Sequence, residues 1–304
     1  MIKKLFYKSY HLYHLIIVLF VRNKYTESQN KCIQEFNDEI IDIPQSNIVS
    51  DFWSIALLDI KDFIKYHDVR NILQSPTIKY TMVAEPNRIE LRDLLNSRKS
   101  NYFKAILKED WAGNPTPYFY YLKSSGNTIH HAYSILQLFN FVNIEFSSLN
   151  RIFEFGGGYG NFAKLIFKSN FQGNYLIYDL PLMSSIQKLF LNLSELNVSV
   201  LRKPSEQIST VSLLNDLSDI SGDDPDLFVA LWSLSECPFT LRDQVLSRNL
   251  NSKYFLIAYS NEFMGVNNSE YFESFRVKMV NYEWITYEID HLKGHTYLIG
   301  RKLN

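Results

Sequence analysis

Glu154, Gly156, Gly158 and Gly160 occupy alternate positions in "RIFEFGGGYGNFAKLIF" (151–167), between a short apolar run and an amphipathic one. A glycine-rich turn between a strand and a helix lets the backbone approach a ligand with no Cβ in the way. Three kinds of ligand use such turns. A nucleoside triphosphate needs a lysine and then Ser or Thr after the last glycine. Here Asn161 and Phe162 follow Gly160, which excludes it. A dinucleotide fingerprint survives as Gly158-x-Gly160-x-x-Ala163, but it strands two further glycines and an acid ahead of itself. The register that begins at Glu154 uses them all. Its carboxylate suits an ammonium group, and the glycines suit the amino-acid half of S-adenosylmethionine (SAM), which needs no phosphate-gripping lysine. Asp179, in "IYDLP", ends the next strand candidate, where a carboxylate accepts hydrogen bonds from both ribose hydroxyls. Leu180 follows and is placed to pack on the adenine. Nicotinamide cofactors use an acid at the same place as Asp179, so Glu154 and the glycine spacing carry the distinction.

The elements that must hold these residues show a change of rhythm along the chain. From Arg151 onward, short apolar runs ("RIFEF", "NYLIYDL", "VSVL", "DLFVALW", "KYFLIAY") alternate with helical stretches over 160–169, 182–195, 205–217 and 240–250. Continuous apolar strands alternating with helices predict a parallel sheet covered on both faces. "EWITYEI" and "HTYLIGRK", joined by "DHLKG", predict a final antiparallel hairpin. Residues 1–150 read as largely helical, with amphipathic spacing in "DFWSIALLDIKDFIKYH" and a helix from about Thr128 to Phe141. The expected division is a helical lid or acceptor-binding region over 1–145 and a SAM-binding domain over 146–304.

Bulk properties narrow the partners. A net charge of −1 over 304 residues gives no basic face for nucleic acid. The 22 Phe and 20 Tyr are spread along the whole chain, which is a compositional bias rather than an aromatic binding surface. Cys32 and Cys237 have no metal-type or CxxC spacing, so a reduced, cytoplasmic setting is expected. The apolar run from Leu12 to Val21 is too short to span a bilayer, and Arg22, Asn23 and Lys24 replace any small-residue cleavage site. It reads as a core or lid helix. The other reading is a peripheral contact of residues 1–24 with the inner face of a membrane.

Taken together, "EFGGGYGNFAKLI", "YLIYDLP", "VALWSLSECP", "NNSEYF" and "GHTYLIG" resemble a class I SAM-dependent methyltransferase. More narrowly they resemble the bacterial sugar O-methyltransferases, to which "AGNPTPY" and "NTIHHAYSILQLF" are also similar. The resemblance covers roughly residues 110–302. It implies a Rossmann-like class I methyltransferase sheet, SAM as cofactor, and transfer of a methyl group to a sugar hydroxyl of a surface glycan or glycolipid. Other functions stay open: a small-molecule O- or N-methyltransferase acting on a non-sugar acceptor, a methyltransferase-fold scaffold without catalysis, or, as an outside option, a nicotinamide enzyme. The "GGG…DLP" pairing is also similar to plant-type small-molecule O-methyltransferases, whose general-base histidine lies three residues after a tryptophan. Here Trp232 is followed at that distance by Ser235, so that base is not carried over. Trp232 and Ser233 are still expected to line the cofactor site, at the end of their strand.

A sugar hydroxyl is weakly acidic and its methylation calls for a positioned base. Glu236, at the same strand end, and the adjacent pair His130 and His131 on the preceding helix are the candidates, with His131 ahead of His130. His295 is expected to be structural. "DDPD" (Asp223, Asp224, Asp226) falls at the opposite sheet edge and is expected to be a solvated loop, and no metal site is expected.

Overall fold

The computed structural model describes residues 12–16, 25–40, 50–84, 87–196, 198–202, 204, 209–220 and 222–303. Most of the expected membrane-contact segment 1–24 lies outside them. Among the described residues no helix is long and apolar enough to cross a membrane.

An eight-stranded sheet organises the second half. Its strands are β3 (Arg151–Phe155), β4 (Asn174–Tyr178), β5 (Ser199–Leu201), β6 (Thr210–Leu214), β7 (Leu227–Leu231), β8 (Tyr254–Ser260), β11 (Tyr282–Glu288) and β12 (His295–Lys302). They lie in the order β11-β12-β8-β7-β3-β4-β6-β5. The six strands from β8 to β5 pair in parallel, while β12 is antiparallel to both β8 and β11. This is the Rossmann-like class I methyltransferase sheet that the sequence led one to expect, mostly parallel with a final antiparallel hairpin. From β3 the chain passes to β4, then to the edge strand β5 and back to β6 between them, before it places β7 on the other side of β3. The reversal makes β3 and β7 the switch point, where a doubly wound sheet opens a crevice beyond its carboxyl ends.

Alternation along β3 shows why both faces are covered. Ile152 and Glu154 point to one face, Phe153 and Phe155 to the other. Phe153 and Phe155 join an apolar cluster with Leu241, Val245 and Leu246 of α9 (Phe239–Arg248) and Phe272 of α10 (Asn268–Lys278). Ile152 belongs to a larger cluster that takes in α6 (Gly126–Phe141), α7 (Asn161–Lys168) and α8 (Pro181–Leu193), and reaches back to Ile60, Ile64, Ile78 and Leu94. Those last four residues sit on α2 (Asp51–Tyr66), α3 (Pro76–Met82) and α4 (Arg88–Asn96), while α1 (Glu27–Glu39) packs on α8. The helical first half thus lies against the face that carries Glu154.

The structure departs from the expected elements at β6 and at two small hairpins, one of which pairs β9 (Glu262–Phe263) with β10 (Val266–Asn267). Residues 210–214, expected within a helix over 205–217, form β6 between β4 and β5; positions 205–208 lie outside the described residues. All five residues of β6 are buried, and two of them, Thr210 and Ser212, are polar and break the continuous apolar run expected of an inner parallel strand. Its apolar residues then combine with Leu217 into an apparent helical spacing. A small hairpin, β1 (Pro117–Tyr118) with β2 (Tyr121–Ser125), also breaks the helical run of the first half.

Candidate functional site

A cavity of about 540 Å³ opens beyond the carboxyl ends of β3, β4 and β7, a volume within the range of small-molecule and cofactor sites. The turn after β3 forms its floor. Gly156 lies in the left-handed region (φ +69°), and a Cβ there would meet the Ser233 Cβ at 2.3 Å. Only glycine allows the turn and the residue after Trp232 to come this close. Gly157 and Gly158 also line the cavity, whereas Gly160 does not. With φ +95° Gly160 caps the start of α7 and faces Leu191 of α8.

The two expected acids meet at this turn. Glu154 is buried at the end of β3, accepts a hydrogen bond from the Tyr175 hydroxyl (2.9 Å) and lines the cavity. Burial pushes its carboxyl up to about 8, although Tyr175 works the other way; the nearby Asp179 adds to the rise. Asp179 accepts from the Leu180 amide (2.8 Å) and from Gln187 Nε2 (2.7 Å). Burial raises Asp179 to about 7 against these bonds and those from the Gly157 and Gly158 amides. Among the described residues no lysine or arginine lines the cavity to balance either acid. A buried carboxylate with no cation beside it favours a ligand that brings one. The residues present therefore fit SAM: an acid for the ammonium, an acid beside Leu180 for the ribose hydroxyls, and a Cβ-free turn between them. Leu180, Trp232 and Ser233 line the same cavity.

The three expected bases also reach it, from different elements. Glu236 follows β7 in a short 3-10 turn and accepts from Trp53 Nε1 of α2 (3.0 Å); burial pushes it up to about 7. His131 Nδ1 lies 3.1 Å from Asn161 Nδ2. Burial, then His130 and Lys164, push the His131 imidazole down to about 3. His130 Nδ1 lies 2.7 Å from Glu90 Oε1, and its ring sits against that of Trp232, centroids 4.8 Å apart. Trp232 takes a left-handed backbone (φ +65°) that is costly for a large residue, and its Nε1 donates to His295 Nδ1 (2.8 Å). His295 thus lines the cavity and fixes the tryptophan there, a more direct part than the structural one expected.

Sequence reasoning missed Glu90, His291 and Trp53. Glu90 shares a helix face with buried Leu94 four residues on, the one signal that it turns inward. His291 lies in the turn of the final hairpin and reads there as a solvent residue, yet its Nε2 is 2.9 Å from Glu90 Oε1. Asp226 also departs from the solvated loop expected of it. It is buried, accepts from the Asn150 and Arg151 amides and pairs with Lys253 (2.6 Å), tying together the amino ends of β3, β7 and β8. Among the described residues no group of three or more His, Cys, Asp or Glu is placed to hold a metal ion.

No protein-family model matches the chain. No curated protein matches it either. Solved structures with a similar arrangement include magnesium protoporphyrin IX methyltransferase (ChlM) from Synechocystis PCC 6803 with bound S-adenosylhomocysteine (SAH), at 10% identity and TM-score 0.41, covering 71% of this chain and 99% of that one. An O-methyltransferase family protein from Burkholderia thailandensis is 13% identical with TM-score 0.39 over 81% and 72% of the two chains. Human N-acetylserotonin methyltransferase in complex with SAM is 11% identical with TM-score 0.37 over 81% and 70%. At such identities and TM-scores these likenesses add no weight to a functional reading.

Proposed function

We propose that the protein is a SAM-dependent O-methyltransferase that acts on a sugar hydroxyl of a glycan or glycolipid. The observation that carries the cofactor reading is the placing of Glu154 and Asp179 on either side of a Cβ-free turn, in one cavity that no lysine or arginine lines among the described residues. Bound there, SAM would supply a methyl carbon made electrophilic by its sulfonium sulfur. The work of the chain is then to align the acceptor, exclude water and take a proton.

The helical first half supports a lid or acceptor platform. Met82 lies over Gly158, and the Ala84 amide donates to Asn127 Oδ1, so the segment after α3 covers the glycine turn. Trp53 and Glu236 line the cavity together, and the indole Nε1 donates to the carboxylate, which sets an aromatic ring beside a hydrogen-bond acceptor. The resemblance of "AGNPTPY" and "NTIHHAYSILQLF" to sugar O-methyltransferases supports the same acceptor.

Isothermal titration with SAM tests the cofactor. The wild type should bind, and Asp179→Ala should bind far more weakly. No binding to the wild type, or equal binding to both, would overturn the proposal. Detection of SAH release over a panel of neutral glycosides and non-sugar alcohols then separates the sugar acceptor from its competitors.

A further inference from the structure

We infer that His130 is the base of the proposed transfer, and that Glu90 positions it through a carboxylate oxygen shared with His291. This rests on the SAM reading of the cavity. The two neighbouring histidines look alike in sequence, but only His130 has a carboxylate opposite its Nδ1.

Glu90 is buried on α4, with 2% of its surface exposed, and its Oε1 receives both His130 Nδ1 (2.7 Å) and His291 Nε2 (2.9 Å). Burial works to raise this carboxyl, but the two imidazoles outweigh it and hold it at about 2. An ionised carboxylate only accepts hydrogen bonds, so both nitrogens that reach it carry protons. In the neutral form of His130 the proton therefore sits on Nδ1 and the lone pair on Nε2. That nitrogen has no hydrogen-bond partner among the described residues, and His130 lines the cavity. The Trp232 ring fixes the plane of the imidazole, which gives the strained backbone of Trp232 a purpose.

His131 is set differently. Its Nδ1 lies 3.1 Å from the Asn161 side-chain amide, with no carboxylate opposite. Burial, then His130 and Lys164, hold its imidazole at about 3, so it is a poor proton acceptor near neutral pH.

In the transfer, the acceptor hydroxyl proton moves to His130 Nε2 while the oxygen's electron pair bonds the methyl carbon, and the carbon–sulfur pair stays on sulfur. Glu90 stabilises the imidazolium through Nδ1–H. Four titratable groups face His130: Glu90 from α4, His291 from the turn between β11 and β12, His295 on β12, and His131 on its own helix.

The test is the tautomeric state of both histidines in the full chain, labelled with 15N-histidine, saturated with SAH and read from long-range nitrogen–proton correlations. Wild-type His130 should carry its proton on Nδ1 when neutral, with His131 as the internal comparison. Glu90→Leu should abolish the Nδ1 preference of His130 while SAH still binds, and Glu90→Asp should restore it; a merely structural role would leave the tautomer unchanged. A wild-type His130 protonated on Nε2, or a tautomer indifferent to Glu90→Leu, overturns the inference. If Glu90→Leu does not fold, the wild-type spectrum still decides. Failure of SAH to bind the wild type would sink the cofactor reading instead, a separate outcome.

Discussion

Ligand affinity should rise steeply with pH between 6 and 8, because the two acids at the glycine turn are pushed up to about 8 and about 7 by burial. If the cofactor's ammonium group is taken up only by ionised Glu154, the competent fraction is about one half at pH 8 and about one hundredth at pH 6. SAH should therefore bind about fifty-fold more weakly at pH 6, or about 2.3 kcal/mol less favourably. If Asp179 must also be ionised, the same reasoning adds up to about tenfold. The two acids interact, so these proton steps belong to the pair rather than to either residue. Titration calorimetry with SAH across this range measures the affinity, and repeating it in buffers of different ionisation enthalpy counts the protons released. Glu154→Gln should flatten the profile. A dissociation constant that barely moves between pH 6 and 8 in the wild type would refute the reasoning. The same shifts act on the empty protein with the opposite sign. An acid whose carboxyl is raised on folding contributes stability that is full below about pH 4.5 and is lost as pH climbs through the folded value. The empty protein should thus melt at lower temperature as pH rises from 5 to 8, and SAH should offset the loss.

Two further outcomes follow from packing. Gly156→Ala should cost about 1–2 kcal/mol for a left-handed backbone and about 1–3 kcal/mol for crowding Ser233, visible as a lower urea midpoint together with lost SAH binding. Lys164, buried on α7, lies 2.5 Å from Glu109, which also accepts from Ser125 and Thr128 at the start of α6. Lys164→Met should cost roughly 3–5 kcal/mol by stranding the Glu109 charge, and Glu109→Gln in the same chain should return part of it. Unfolding curves that superimpose on the wild type would contradict either expectation.

The cofactor end of the site was legible in the sequence because it is local. An acid and a glycine run joining a strand to a helix, with a second acid closing the following strand, are fixed by short-range backbone geometry, and each surfaces as a residue type at a set spacing. The sheet was legible for the same reason wherever strands announce themselves by apolar runs bounded by turns. β6 was not, since buried Thr210 and Ser212 interrupt the apolar run that announces β3, β7 and β8.

Only the tertiary structure decided which groups face one another. Glu90 and His291 are 201 residues apart and meet on one oxygen because α4 and the final hairpin both close over α6. Trp53 finds Glu236 across 183 residues in the same way. Adjacent His130 and His131 differ only in what stands opposite them, a carboxylate or an amide. A partner forty residues away thus faces the Nδ1 of His130 with an acceptor-only group. The sequence by itself therefore marked the glycine turn and its two acids, and the packing of the first half on the sheet decided which side chains stand beside them in the cavity.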